Sequence, residues 1–280
     1  KLKRNHRAEA LQLAYELLSL RQEAAEIWTV VGQTEQLAGT ATKAEEAYRK
    51  ALSFNPWQLT AYQGLIGIAE QRNDRSMVTR LWQSLSALNP DVPTIQFKLA
   101  EAYIRESRPA RAYSLLEKLT VPDTQKADAD FWKGQTLIAL GRPLDAIQAF
   151  EKSLQGNSTT RAWAYAALGN CYFKLQRFPE SIQAYREAVR LEPDNINWQY
   201  DLALSLKDCF RCQEAFEIDI QLLKKFPDDP AIWRQKGFTE AILGRYQEGI
   251  KSMEKSLELE PRQGKLWAAL IDTYRHAGRD

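Results

Sequence analysis

The side chains best suited to catalysis and metal binding are scarce in this sequence. Its 280 residues contain two histidines, His6 and His276, which lie near opposite ends of the chain. A Ser-His-Asp triad needs a histidine beside its nucleophile, and a three-histidine zinc site needs three of them close together. We therefore expect no histidine-centred active site, no metal site and no cofactor.

Two of the three cysteines form a CxxC pair, Cys209-Phe-Arg-Cys212. Such a pair can be redox-active or can supply half of a zinc site. A zinc site needs two further ligands, and the remaining cysteine, Cys171, lies well upstream with no histidine nearby. The favoured interpretation is an incidental pair, while a disulfide that pins a turn and a metal or redox role stay open.

The segment Gly244-Arg-Tyr-Gln-Glu-Gly-Ile-Lys251 superficially matches a phosphate-binding loop. Its lysine is displaced by one place, and the segment spans a turn into a helix instead of a strand-to-helix loop. Carboxylates are plentiful, but they occur as helix charges, for example Glu45 with Arg49 at i,i+4 spacing. No acid and base pair stands out, so the sequence predicts a protein that is not an enzyme.

Charge and hydropathy narrow the possible partners and compartments. The 38 basic and 36 acidic residues leave a net charge of +2, too small to attract nucleic acid or an anionic membrane surface. The longest apolar stretches, such as Ile138-Ala139-Leu140, are far shorter than the roughly 20 residues that cross a bilayer. We expect no nucleic acid partner and no direct membrane insertion. Few cysteines favour the cytoplasm, with a bacterial periplasm as the alternative.

Prolines recur at a fixed interval along the chain. Pro56 and Pro90 are 34 residues apart, and Pro193, Pro227 and Pro261 repeat the same step. Because proline lacks an amide hydrogen and disfavours helical geometry in the residue before it, each one marks the end of a helix. Between these prolines, large apolar residues fall at helical spacing on both sides of a glycine or polar turn. Each interval therefore predicts a helix, a turn and a second helix.

On this period the chain divides into seven units that cover residues 25–263, with starts at 25, 59, 93, 127, 162, 196 and 230. The pattern of residues 1–24 matches the second helix of a preceding unit whose first helix is missing. The pattern of residues 264–280 matches the first helix of an eighth unit whose second helix is missing. Both ends look cut, and we expect the parent protein to continue. Leu266, Leu270 and Tyr274 should then line an uncovered helix, which predicts end-to-end self-association.

The fifth unit carries the clearest motif, which consists of Tyr165, Leu168, Gly169, Tyr172, Ser181, Tyr185, Ala188 and Pro193. This pattern resembles the tetratricopeptide repeat family, in which Trp-x-x-Leu-Gly-x-x-Tyr is followed by Ala, an aromatic residue, Ala and Pro. Lys236, Asp219 and Thr124 depart from it without breaking the phase. The resemblance implies an all-α fold, a right-handed α-solenoid of stacked helix-turn-helix hairpins. It also implies a scaffold for protein-protein interaction.

The family binds partners on a concave face that its first helices form, mainly through the second, fifth, ninth and twelfth residues of each unit. This resemblance projects ten partner-binding residues here: Phe97, Phe131, Gln135, Trp163, Asn170, Phe173, Tyr200, Lys207, Arg234 and Phe238. The aromatic members would seat a peptide or helix of a protein partner. The alternative is that some of them fill space between hairpins, as aromatic stripes usually do.

One subclass of the family grips the C-terminal carboxylate of chaperone tails with lysine, asparagine and arginine. Asn170 fits one of these places, but the others hold Ala166, Asp201, Ala231 and Gln235, so this clamp is absent. Two further functions stay open. The chain could be the periplasmic arm of a bacterial secretion or exopolysaccharide-export machine, or it could present substrate to a catalytic domain outside it.

Overall fold

The computed structural model describes residues 2–20 and 23–278, with the side chains of residues 2–8 left out. Apart from one 3-10 turn at Asp123–Gln125, the regular elements of these residues are sixteen α-helices. Their bounds are α1 Leu2–Leu20, α2 Ala25–Ala38, α3 Ala41–Phe54, α4 Leu59–Gln71, α5 Arg75–Leu88, α6 Pro93–Arg105, α7 Pro109–Lys118, α8 Lys126–Ala139, α9 Pro143–Gln155, α10 Arg161–Lys174, α11 Phe178–Leu191, α12 Ile196–Asp208, α13 Cys212–Lys225, α14 Pro230–Ile242, α15 Tyr246–Leu259 and α16 Gly264–Ala277.

The chain forms two compact units, Lys1–Pro122 and Asp123–Asp280. Within each unit, consecutive helices pack as antiparallel neighbours and each hairpin packs on the next. The predicted all-α solenoid of hairpins is confirmed. The grouping of the hairpins into repeats, with partial repeats at 1–24 and 264–280, remains our proposal. In the described part of the chain, every helix is too short or too polar to cross a membrane.

The turn inside each hairpin contains one residue in the left-handed helical region. These residues recur every 34 or 35 positions, as Gly39, Asn73, Ser107, Gly141, Gln176, Phe210 and Gly244. The amide of the next residue donates a hydrogen bond to the carbonyl five residues earlier and so closes the helix, for example from Arg177 to Tyr172 at 2.9 Å. This is the Schellman arrangement, which satisfies carbonyls left open at a helix end. Four of the seven turns use it without glycine.

Close contact between the helices of a hairpin depends on a small residue that faces a large one. A Cβ on Gly169 would lie 2.7 Å from the Tyr185 ring, so glycine is required at this crossing. The same pairing recurs as Gly32 with Tyr48 and as Gly134 with Phe150. At the equivalent positions of α12 and α13, the chain has Ala203 and Asp219, and both are fully buried. A carboxylate thus occupies a place that aromatic rings fill in other hairpins.

The last helix differs from the prediction made for its exposed face. Leu266 and Leu270 are buried in a cluster with residues of α15, so they do not form an uncovered surface. The large apolar residues of α16 that are exposed are Trp267, Ile271 and Tyr274. Leu266 and Leu270 lie four residues apart on the side of α16 that faces the preceding hairpin, whereas Trp267, Ile271 and Tyr274 lie on the adjacent side.

Candidate functional site

Two of the predicted partner-binding aromatics are buried. Phe97 on α6 and Phe131 on α8 each expose 5% of their surface. The Phe131 ring lies 5.4 Å from the Trp132 ring and 5.8 Å from the Phe150 ring, centroid to centroid. Phe97 and Phe131 therefore pack the hairpins and are not accessible to a partner in this structure, unlike the exposed anchors predicted from the sequence. The competing interpretation, that some aromatics fill space between hairpins, applies to both.

Three other predicted residues meet at one open cavity of about 260 Å³ in the second unit. They are Gln135 on α8 and Trp163 and Asn170 on α10, and α10 lies beside both α8 and α12. The remaining lining residues are Ile138, Ala166, Ala167, Tyr185, Trp198 and Asp201. Ala166 and Ala167 have short side chains, which leaves room for the cavity. We call it the α10 cavity.

Trp163 forms the accessible wall of the α10 cavity. Its indole meets that of Trp198 edge-on, with centroids 5.0 Å apart and an interplanar angle of 84°. Trp198 is buried and holds the Trp163 ring in place, yet Trp163 leaves 52% of its surface exposed. An aromatic ring that is fixed on one side and open on the other can bind an apolar or cationic group at little entropic cost.

The polar base of the cavity is built around the buried Tyr185 hydroxyl. Asp201 and Asn170 line the same cavity beside it. Burial, followed by the charge of Asp201, raises the pKa of Tyr185. Burial also raises the pKa of Asp201, which the neighbouring Tyr185 hydroxyl partly offsets. The tyrosine therefore keeps its proton beside the carboxylate.

The backbone places this tyrosine through two local features. Gly169 removes the side chain that would collide with the Tyr185 ring, and the Ser181 hydroxyl donates to the Gly169 carbonyl at 2.8 Å. Together they lock α11 against α10 and point the tyrosine hydroxyl toward α12. The motif that marks the hairpin in the sequence is therefore also what positions the base of the cavity.

The other predicted residues are engaged elsewhere in the second unit. The Phe173 ring packs 5.6 Å from that of Phe178. Lys207 pairs with Asp208 at 2.9 Å and lies 5.8 Å from the Phe238 ring. Arg234 donates to the Gln263 side chain at 2.9 Å, and the Tyr200 carbonyl accepts from Gln235. The structure does not bring Phe173, Tyr200, Lys207, Arg234 and Phe238 to the α10 cavity.

Sequence reasoning missed Tyr185, Trp198 and Asp201 as cavity residues. Asp201 is the sixth residue of its unit, and the projection considered the second, fifth, ninth and twelfth. The signal that could have found it is the Ala166-Ala167 pair on the neighbouring first helix, because two small residues there open a path to the α12 surface.

Asp219 is a fully buried carboxylate that lies outside the cavity. The Gln235 amide donates to its Oδ1 at 2.8 Å, and the Thr239 hydroxyl lies 3.4 Å from its Oδ2. Burial raises the pKa of Asp219 to about 7. The Thr239 hydroxyl already donates to the Gln235 carbonyl at 2.9 Å, so a protonated Asp219 could donate to Thr239 and complete the chain of bonds.

The cysteines are free thiols in the structure, so Cys209 and Cys212 are not joined. Burial raises the pKa of Cys171 to about 11 and also raises that of Cys212, which lowers the thiolate fraction at neutral pH. In the described residues, no group of three or more His, Cys, Asp or Glu side chains could hold a metal ion. His276 stacks on Tyr246, and the His6 side chain lies outside the described part.

Models of the tetratricopeptide repeat match residues 97–166, 162–195 and 231–263. The chain is 26% identical over 187 residues to anaphase-promoting complex subunit 7 of Arabidopsis thaliana, a match that covers 66% of this chain and 33% of that protein. It is 25% identical over 159 residues to the poly-beta-1,6-N-acetyl-D-glucosamine export protein of Escherichia coli K12, with 57% and 19% covered. The chain thus spans a third or less of these relatives.

Among solved structures, the chain is similar to the crystal structure of the Cut9–Hcn1 hetero-tetramer of the APC/C. The TM-score is 0.65 over 95% of this chain and 52% of that one, with 13% sequence identity. At this identity the similarity shows the fold alone.

Proposed function

The chain belongs to the tetratricopeptide repeat family, and we propose that it holds a segment of a protein partner in the α10 cavity and on the first helices around it. The Arabidopsis relative is a subunit of the anaphase-promoting complex, which supports a role as a protein-interaction scaffold. The proposed function is non-enzymatic binding of a peptide or helix. The proposed binding surface is smaller than the aromatic groove predicted from the sequence, because Phe97 and Phe131 are buried.

The exposure of Trp163 is the observation that carries this proposal. An indole buries about 150–250 Å² when covered, so the open half of Trp163 offers about 100 Å² to a partner. At roughly 25 cal/mol per Å², covering it would contribute about 2.5 kcal/mol. Contributions of this size are typical of the few aromatic anchors that dominate binding between proteins.

The size of the cavity favours a macromolecular partner. Pockets that enclose small-molecule ligands are typically about 300–1,000 Å³. The α10 cavity, at about 260 Å³ and open to solvent, is below this range. A volume of this size suits one anchoring side chain, while the rest of the partner lies across the neighbouring first helices.

A display selection tests the proposal. The chain would be immobilised and used to select binders from a library of randomised 12-residue peptides. The affinity of each selected peptide would then be measured for the wild type, for Trp163→Ala and for Trp57→Ala. We expect selected peptides that lose most of their affinity for Trp163→Ala and keep it for Trp57→Ala. Trp57 is a matched control because it is an exposed tryptophan in the other unit. Peptides that bind both variants equally would contradict the proposal.

Similarity to a polysaccharide export protein favours a second candidate, an arm of a bacterial export machine. In that case the tryptophan would stack on a sugar ring, and the same variants can be assayed with soluble poly-β-1,6-N-acetyl-glucosamine oligomers. Binding of these oligomers that depends on Trp163, together with no selected peptide, would favour the export arm over the protein scaffold.

A further inference from the structure

We infer that the α10 cavity accepts an arginine side chain of the bound peptide. This inference rests on the proposed function and specifies the chemistry of the anchor. Three observations carry it: the charge of the lining, the set of hydrogen-bond acceptors, and the open face of Trp163.

The lining of the cavity contains one carboxylate and no basic side chain. Its nine residues are Gln135, Ile138, Trp163, Ala166, Ala167, Asn170, Tyr185, Trp198 and Asp201. Asp208, on the same helix as Asp201, is paired with Lys207 at 2.9 Å. In the described residues, Asp201 has the Tyr185 hydroxyl as its stabilising partner and no cation. A cationic ligand would supply the charge that the cavity lacks.

The base of the cavity offers several hydrogen-bond acceptors. The Asp201 carboxylate has room for a ligand with Tyr185 beside it, because a carboxylate can accept about four hydrogen bonds. Asn170 contributes an amide oxygen to the same lining. Gln135 adds a second amide oxygen on the opposite helix. A guanidinium presents five donors and no acceptor, so it matches this set better than an ammonium group.

Trp163 adds the surface on which a planar cation stacks. Its exposed face borders the same cavity that contains Asp201. Guanidinium groups stack on indole faces within about 6 Å of the ring centre, and this geometry leaves their edge hydrogens free to donate. An arginine that enters along Trp163 can therefore stack and donate to Asp201 at once. A peptide with an acidic group at that position would meet the Asp201 carboxylate and be repelled.

The experiment uses the selected peptides and a neutral analogue of arginine. Peptides that bind the full chain would be resynthesised with the enriched arginine replaced by citrulline, which keeps the shape and removes the charge. Affinities would be measured by fluorescence anisotropy against the wild type, Asp201→Asn and Asp194→Asn. Asp201→Asn keeps an acceptor for Tyr185, and Asp194→Asn removes an equivalent charge from an exposed site.

We expect arginine to be enriched at one peptide position and citrulline to weaken binding to the wild type about tenfold or more. For Asp201→Asn, replacing arginine by citrulline should weaken binding by less than about twofold. For Asp194→Asn, the loss of affinity should equal that of the wild type. The citrulline comparison on the wild type needs no variant to fold.

Two results would overturn the inference in distinguishable ways. Selected peptides that depend on Trp163 but carry an apolar or acidic anchor, or bind equally with citrulline, would refute the arginine pocket and leave the scaffold function standing. If no peptide is selected, or if sugar oligomers bind in place of peptides, the proposed function fails and this inference fails with it.

Discussion

Asp219 should make the stability of this protein fall as the pH rises toward neutrality. It is fully buried on α13, and burial is the main cause that raises its pKa to about 7. The hydrogen bond from Gln235, the nearby Thr239 hydroxyl and the charges of Lys236 and Lys207 lower the pKa, but they do not outweigh burial. The folded chain therefore holds a proton on Asp219 at pH values where an unfolded aspartate has lost it.

The size of the effect follows from the two pKa values. An unperturbed aspartate titrates near 3.8, so between about pH 3.8 and 7 the folded state binds more protons than the unfolded state. Stability from this group is complete below 3.8 and is lost as the pH rises to 7. Each unit of difference is worth about 1.36 kcal/mol, which gives a total of about 4 kcal/mol at most. Above pH 7 the loss is constant.

Asp219→Asn isolates this contribution because asparagine mimics the protonated acid. Its carbonyl oxygen can accept from Gln235, and its amide can donate to Thr239. We expect the variant to match the wild type at about pH 4 and to be more stable by about 2–4 kcal/mol at pH 8. With a urea slope near 3 kcal/mol per M, the difference in midpoint at pH 8 should be about 1 M.

Urea unfolding followed by circular dichroism at several pH values measures this difference. Other carboxylates titrate in the same range, but they are common to both proteins and cancel in the comparison. Asp194→Asn, at an exposed position, should follow the wild type at every pH. A variant less stable than the wild type at pH 8, or a difference that does not change with pH, would show that folding does not raise the pKa of Asp219 and would refute the reasoning.

Three further predictions concern packing, backbone strain and the last helix. Phe131→Ala should lower the free energy of unfolding by about 3–5 kcal/mol in chemical denaturation, as expected for emptying a core aromatic site, and an unchanged midpoint would mean that the ring is not core. Phe210 is 86% exposed and has a positive φ of 59°, so Phe210→Gly should raise the unfolding midpoint by an amount equivalent to about 1 kcal/mol, and a lower midpoint would contradict the strain. Ile271→Glu with Tyr274→Lys should shift sedimentation toward monomer if the exposed face of α16 mediates self-association, and equal sedimentation would exclude that face.

Much of the helical organisation could be predicted from the spacing of prolines and apolar residues. Pro193 and Pro227, for example, precede helices α12 and α14, which begin at Ile196 and Pro230. The residues at the turns were harder to predict from the sequence, because Phe210 adopts a left-handed backbone conformation that a phenylalanine disfavours. There the hairpin geometry prevails over the local preference.

The candidate site was predicted in part, and the reason lies in packing between hairpins. The resemblance to the repeat family placed Trp163 and Asn170 on the face that lines the cavity. The same projection put Phe131 on that face, but the ring of Phe150 from the paired helix and that of Trp132 cover it. The position of a residue in a repeat tells which side of its helix it lies on. Its exposure depends on the side chains of neighbouring helices, which a local sequence pattern does not contain.

The measurement that tests the central claim most directly is the affinity of selected peptides for Trp163→Ala, with its melting temperature recorded on the same sample. Because Trp163 is half exposed, we predict a loss of affinity of about 30-fold, equivalent to about 2 kcal/mol, with a melting temperature within a few degrees of the wild type. Unchanged affinity, or a large fall in melting temperature that accounts for the lost binding, would contradict the claim that Trp163 is the anchor of a partner-binding site.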